Sequence, residues 1–446
     1  MSKVFVGTLE NQQTILSNQA AAQARDTALQ SGVNNVQSTA DSILAELKGQ
    51  RPKRYGYRVR MAEPNPSTRV EYLYDSVGMT PAYMNFSTGV FNYGSWKDVW
   101  FVRDNYPCMV RADGTEDYQL DPNNYEKKAQ NGAASDVSNT NYNGNAMAAI
   151  PLVWVKRYQE AGYQYVIFCE SQYDEGYKAY AHTRADGTIA KVAYHALFKG
   201  SLVSSRLRSL KGQYPQCNSN AQQELDYAKA NGSSWNVRTW SLHELLADLL
   251  TLISKNMNAQ AAFGSGNITS YVDDASKHYG ELQCGTLSNK GQFFGYGPSD
   301  TTHQVKVFHI EGFWGDRWDR LAGLIYENGV WKAKMTPEGA GYNLTGAGYT
   351  SVCKGVPHTP DESFGGWQKT TYQSEYGRFP VEELTGSDVT YEADFHWVNN
   401  AILAVVLAGA TCDNGWGCGP RYLDAHGVAA AAWWSCGASL SLVGPS

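Results

Sequence analysis

Residues 411–440 read Thr411-Cys-Asp-Asn-Gly-Trp-Gly-Cys-Gly-Pro-Arg-Tyr-Leu-Asp-Ala-His-Gly-Val-Ala-Ala-Ala-Ala-Trp-Trp-Ser-Cys-Gly-Ala-Ser-Leu440. Gly, Tyr, Leu, Trp and small residues form an ordered scaffold here, and the residue types between them look arbitrary. From Ala401 to Ser446 there is no Lys, Glu, Gln or Met, although all four are used upstream. A core segment of small residues would show this bias. So would positions drawn from Asn codons randomised only at their adenines, which cannot yield those four but can yield Thr, Cys, Asp, Gly, Pro, Arg, His, Val, Ala and Ser.

Working back from this segment, residues 262–446 show little helical periodicity, much Gly, and aromatic pairs such as Phe293-Phe294 and Trp433-Trp434. Two helices are legible before it. Ala221 to Asn231 ends at Gly232. Ser241 to Lys255 opens with a Ser cap and Glu244 three residues on, a capping box, and its Leu242, Leu245, Leu246, Leu249, Leu250 and Ile253 form a core stripe. Short alternating runs further upstream, Tyr57–Met61, Val70–Tyr74 and Val99–Val102, read as strands. Asp186-Gly187 suits a hairpin between Tyr180–His182 and Ile189–Val192. Residues 122–149 read as a long loop before a strand over Ile150–Val155. The expected class is α+β, with two helices against short twisted strands.

Residues 10–50 lack Pro and aromatics and place Leu29, Val33, Val36, Ala40, Ile43 and Leu47 at a 4-3-4-3-4 spacing. That seam is too narrow to bury in a lone helix and predicts a parallel, trimeric coiled coil. The alternative is an amphipathic helix docked on its own domain. The expected division is 1–50 helical attachment segment, 55–148 β-rich domain, and 149–446 ligand-binding domain with a variable region at about 411–436.

Across all 446 residues the net charge is −6, which argues against a dedicated nucleic-acid binder, and 42% hydrophobic residues exclude disorder for most of the chain. The N-terminus has no apolar signal core, and the longest apolar run, Ala401–Ala410, is too short to span a bilayer; the expectation is a soluble protein without membrane insertion. The eight Cys show no CxxC pairing suited to zinc. Cys412, Cys418 and Cys436 read either as buried thiols or as disulfide partners. No HExxH or GxSxG motif is present. Asp273-Asp274 reads as a turn more readily than as a calcium site, so no cofactor is assigned and calcium is left open without a site.

The chain resembles variable proteins of diversity-generating retroelements and the phage tail receptor-binding proteins that share their C-type-lectin fold. Three places carry the likeness: Arg206-Leu-Arg-Ser-Leu-Lys-Gly212 with Tyr227–Trp235 and the Trp240 helix; Ile310-Glu-Gly-Phe-Trp-Gly-Asp-Arg-Trp318 with Leu321-Ala-Gly-Leu324, similar to formylglycine-generating-enzyme-like domains; and Gly415–Leu440, similar to the variable region itself. Glu63-Pro64-Asn65 matches the sugar-site tripeptide of calcium lectins but lies far from the expected place and reads as coincidence. The resemblance implies that Gly415, Cys418, Gly419, Tyr422, Leu423, Trp434, Gly437, Ala438, Ser439 and Leu440 are scaffold. It places ligand-binding positions at Thr411, Asp413, Asn414, Trp416, Gly417, Arg421, Asp424, His426, Gly427, Ala431, Trp433 and Ser435. Trp433 departs from the pattern, because Trp cannot arise from a randomised Asn codon; Trp416 and Thr411 fit the register poorly. The implied protein is not an enzyme. It sits as a homotrimer on a phage tail tip, is held to a tail or baseplate protein by its N-terminus, and binds a bacterial surface protein or glycan. The alternatives are a formylglycine-generating-type enzyme using a Cys412/Cys418 pair and a bacterial surface adhesin.

Overall fold

The computed structural model describes residues 3–358 and 363–445, with side chains described from residue 10 to 40 and from 51 onward. Two compact units divide the chain, Met1–Lys53 and Arg54–Ser446.

The first unit is one helix, Lys3–Gln50, of 48 residues, about 72 Å at ~1.5 Å per residue. Every side chain described along it, from Glu10 to Ala40, is exposed. Leu29 is 74% exposed, Val33 56% and Val36 71%, and with Ala28 and Gly32 they line one shallow apolar strip. Ile43 and Leu47, which complete the expected seam, lie outside the described side chains.

The second unit is α+β and rich in strands. A four-stranded antiparallel sheet runs in the order Val70–Tyr74, Arg54–Arg60, Tyr163–Cys169, Trp154–Glu160. A seven-stranded sheet runs Trp235–Val237, Leu440–Val443, Val192–Ala196, Gly144–Pro151, Tyr106–Arg111, Glu116–Asp121, Asn124–Lys128. The third sheet runs Thr350–Lys354, Val330–Ala333, Trp318–Glu327, Leu403–Ala408, Leu423–Ala425, Phe395–Val398, Phe364–Trp367, with Cys436–Gly437 pairing parallel to Trp318 and Asp319.

The expected boundary between 148 and 149 is not a boundary. It falls inside the strand Gly144–Pro151, which reaches the C-terminal strand Leu440–Val443 through Val192–Ala196. Contacts distant in sequence build this sheet, so composition shifts along the chain do not mark it. The predicted loop over 122–149 contains the strand Asn124–Lys128 and most of Gly144–Pro151. The predicted strand at Val99–Val102 is a helical turn, Trp100–Arg103, set by burial of Phe101 and Val102. The expected strand over Ile150–Val155 breaks at Leu152 and Val153, next to Pro151, which has no amide hydrogen to donate. Around Asp186-Gly187 the turn forms, Asp186 Oδ1 accepting from the Thr188 amide at 2.9 Å, but Tyr180–His182 is a single 3-10 turn rather than a strand.

The helix Ala221–Lys229 is closed by a capping box between Asn220 and Gln223. The helix Trp240–Ser254 is buried over its whole length, packing Leu242, Leu245 and Leu249 with Tyr57 and Phe168 in one core and Trp240 with Trp331 and Phe379 in another. Its expected capping box is absent. Thr239 is the N-cap and makes no side-chain cap bond, and Glu244 instead accepts from the Arg421 guanidinium at 3.0 and 3.1 Å and from the Arg378 amide at 2.9 Å. A buried carboxylate gains more from a guanidinium than from a neutral helix amide.

Candidate functional site

The expected ligand-binding positions begin at a tight loop. Asn414 Oδ1 accepts from both the Thr411 amide and the Thr411 hydroxyl at 3.0 Å, closing the turn that precedes Gly415–Gly417. Thr411 is thereby buried, while Asp413 and Trp416 stand exposed, Trp416 at 45%. Gly417 is buried where a Cβ would meet the Phe395 side chain at 3.0 Å.

The chain then enters the third sheet. Leu423–Ala425 pairs parallel to Phe395–Val398, with Asp424 directly beside Trp397, and antiparallel to Leu403–Ala408, with Asp424 opposite Leu407. Leu407 in turn faces Arg320 on Trp318–Glu327. Opposed residues share a sheet face and residues two apart on a strand do too, so Trp397, Asp424 and Trp318 are brought to one face. His426, just past the strand end, turns back so that both its amide and its Nδ1 bond Asp424 Oδ1, the amide at 3.0 Å. Trp433 lies over the His426 ring with centroids 5.4 Å apart and planes 18° from parallel. Gly427 is buried, and a Cβ there would stand 3.1 Å from the Trp433 ring. The Trp318 amide donates to the Ser435 carbonyl at 3.0 Å, returning the segment to the sheet.

These residues surround an open cavity of about 180 Å³. Asn414, Asp424, His426, Trp433 and Ser435 line it from the expected set, and Trp318 and Trp397 complete it. The wall is braced from behind. Tyr422 meets Trp318 edge-on at 4.7 Å, and Phe395 packs against Trp367, Trp397 and Tyr422 at 5.6 to 5.7 Å. Burial works against a charged His426, but the hydrogen bond and charge of Asp424 outweigh it, so the imidazole pKa is raised.

The other expected positions are not on this wall. Arg421 is 6% exposed and points into the protein, with Nη1 on Glu244 and Nη2 on Asp248; Asp248 also takes Arg157 at 2.6 Å and the Tyr57 hydroxyl at 2.8 Å. It is a core ion-pair residue, and its assignment to an exposed binding face is corrected accordingly. Ala431 holds the returning loop, its carbonyl accepting from Arg320 at 3.2 Å. Of the scaffold positions, Cys418, Gly419, Tyr422, Leu423, Gly437, Ala438, Ser439 and Leu440 are buried; Gly415 and Trp434 are partly exposed, Trp434 stacking on Tyr271 and Tyr279 at 4.8 and 5.0 Å.

All eight cysteines are free thiols. Burial pushes the Cys436 thiol up to about 12 and raises Cys412 and Cys418 as well. Glu63 and Asn65 spend their side chains on a local turn, Glu63 Oε1 accepting from the Asn65 amide at 3.0 Å and Asn65 Oδ1 from the Ser67 amide at 3.0 Å. Asp274 likewise caps Ser276 at 2.9 Å. Among the described residues, no group of three His, Cys, Asp or Glu is placed to hold a metal ion.

Sequence reasoning missed Trp397 and used Trp318 only as a core motif residue. The alternation Phe395-His-Trp-Val398, with His396 and Val398 buried and Phe395 and Trp397 half-buried, was the available signal. The chain matches no protein-family model, and no curated protein matches it.

Proposed function

We propose that residues 54–446 form a ligand-binding domain of the C-type-lectin type, and that the chain is a phage or prophage tail receptor-binding protein recognising a bacterial surface ligand through the cavity at Asp424, His426 and Trp433. One observation carries the reading. Within residues 411–440, eight of the ten positions expected as scaffold are buried, while five of those expected to vary converge on a single cavity walled by three tryptophans. At the partly exposed positions of this cavity, His426, Trp433 and Ser435, side chains can change without disturbing the core beneath them, as a surface diversified by a retroelement requires.

The exposed apolar strip on Lys3–Gln50 supports assembly through that helix. A homotrimer would present three cavities together and raise avidity. The formylglycine-type alternative needs a reactive thiolate, which burial disfavours at Cys412, Cys418 and Cys436.

The test is adsorption of the full-length protein to a panel of bacterial isolates, beside Trp433→Ala. Trp433 is 38% exposed, so its loss is expected to spare folding and to weaken adsorption at least tenfold. Adsorption equal to wild type would remove the cavity from the function. Sequencing the flanking DNA tests the diversification half: a near-copy of the gene's 3′ end beside a reverse transcriptase, differing at template adenines, is the expected finding.

A further inference from the structure

Around His426 the protein already accommodates a positive charge. The imidazole ring lies 5.4 Å from the Trp433 ring and 5.9 Å from the Trp397 ring, centroid to centroid, inside the ~6 Å over which an indole attracts a cation. Its Nδ1 and its backbone amide both bond Asp424 Oδ1. That carboxylate holds the imidazole pKa above its ordinary value against the opposing effect of burial. Protonated His426 is thus a cation that the chain itself sets beside two indoles and a carboxylate.

Part of this arrangement is left open to a ligand. Neither bond from His426 falls on Asp424 Oδ2, and Asp424 lines the cavity. Trp318, a third indole, lines the same space. Among the described residues no Lys or Arg does so. Arg320, on the same sheet face as Trp318, is committed to Glu224 at 2.5 Å and to the Ala431 carbonyl at 3.2 Å.

Size and hydration select the kind of cation. At about 180 Å³ the cavity holds the volume of about six waters at ~30 Å³ each, room for a head group of about that many heavy atoms. An anion would meet the Asp424 carboxylate. A primary ammonium is strongly hydrated and brings three N–H donors to a wall with a single carboxylate. A quaternary ammonium has no N–H to satisfy, and its methyl groups pack on indole while its charge acts on the rings and on Asp424.

We infer that the cavity walled by Trp318, Trp397 and Trp433 beside Asp424 binds a quaternary ammonium head group, carried by a lipid or a polymer of the recognised cell surface. This rests on the receptor-binding reading and names its ligand class.

His426 then competes with the ligand. At low pH its imidazolium neutralises Asp424 and repels an incoming cation; as pH rises it loses that charge and the cavity becomes net negative. The other titratable groups around Asp424 leave this sign unchanged. Burial lowers His396, on the neighbouring strand, to about 4 and pushes the Cys436 thiol up to about 12, and it raises the Tyr422 hydroxyl well above its ordinary value, so all three stay neutral near neutral pH. Glu224, raised by burial to about 7, and Asp413, also raised by burial, turn negative as pH rises, which acts in the same direction.

The experiment titrates the full-length protein with choline, the neutral alcohol in which carbon replaces its nitrogen, methylammonium, acetate and a panel of neutral methyl glycosides, read by indole fluorescence and calorimetry. The expected result at about pH 8 is saturable binding of choline, about tenfold or more tighter than of any other probe, and weakened by at least that factor in Asp424→Asn and Trp433→Ala. Wild type is expected to bind choline more weakly at about pH 5.5, where His426→Asn binds it more tightly than wild type, a gain that misfolding cannot produce. Thermal melting of each variant separates lost binding from lost folding. Equal binding of the neutral alcohol, or preference for methylammonium, acetate or a glycoside, would overturn the inference. Phosphatidylcholine vesicles and a dextran bearing trimethylammonium groups distinguish the carriers: capture by vesicles assigns a lipid, capture by the dextran alone assigns a polymer, and capture by neither overturns the inference. If choline does not bind while Trp433→Ala still abolishes adsorption to cells, the ammonium assignment falls and the receptor-binding reading stands. If Trp433→Ala leaves adsorption intact, both fall.

Discussion

Arg421 and His426 lie five residues apart in one segment, and the structure gives them opposite roles. Arg421 is the shared cation of Glu244 and Asp248 in the core. Removing one partner of a buried ion pair typically costs about 3–5 kcal/mol, because the charges left behind cannot return to water. Arg421→Ala is therefore expected to destabilise the 54–446 unit by about that amount, read as a lowered urea midpoint, whereas Trp433→Ala leaves the midpoint nearly unchanged. His426 carries a pH signature. Its folded pKa is raised by Asp424, so the pair contributes stability that is fully present below the unfolded value of about 6.5 and is lost as pH rises through the folded value. The melting-temperature gap between wild type and His426→Asn should be widest near about pH 5.5 and shrink toward about pH 8.5. A gap that widens with pH would contradict the pairing. Both residues looked alike in the sequence, Arg421 between Pro420 and Tyr422 and His426 between Ala425 and Gly427, because an isolated polar residue carries no mark of the face it will take.

At the scale of elements, legibility followed periodicity. The helix seam at Leu29, Val33 and Val36 was readable because its repeat is written in neighbouring residues, and the helix presents those side chains to solvent. Leu29→Asp combined with Val33→Asp and Val36→Asp is expected to convert an assembled protein to monomers in analytical ultracentrifugation, without shifting the melting of the 54–446 unit. The helix Trp240–Ser254 was placed to within a residue by its leucine stripe, yet its cap was misread. Ser241 and Glu244 have the right spacing for a capping box, but Glu244 is drawn to Arg421, a residue 177 positions away. Val99–Val102 alternates like a strand and forms a helical turn, since a run of four residues is too short for its period to outweigh packing.

In the whole molecule, the segment after Ala401 links two sheets. Leu403–Ala408 and Leu423–Ala425 belong to the sheet that carries the cavity, and Leu440–Val443 lies between Trp235–Val237 and Val192–Ala196 in the other. Asp319 secures the junction, accepting from Lys199 and from the Ser439 hydroxyl at 2.7 Å and forming an ion pair with Arg238 at 2.7 Å. Truncation after Ser435 is expected to abolish cooperative unfolding and leave the protein aggregated in size-exclusion chromatography, since it opens a sheet at an interior strand. Recovery of a folded monomer would show that the two sheets are stable apart. The α+β class, the long N-terminal helix and the buried leucine helix were determined by the sequence itself, because local period, turn chemistry and composition act over a few residues. Only the tertiary structure decided that Trp318, Trp397 and Trp433 share a cavity with Asp424 and His426 while Arg421 is withdrawn into the core. Strand register places residues on a common face across any distance in sequence, and no local pattern encodes that register.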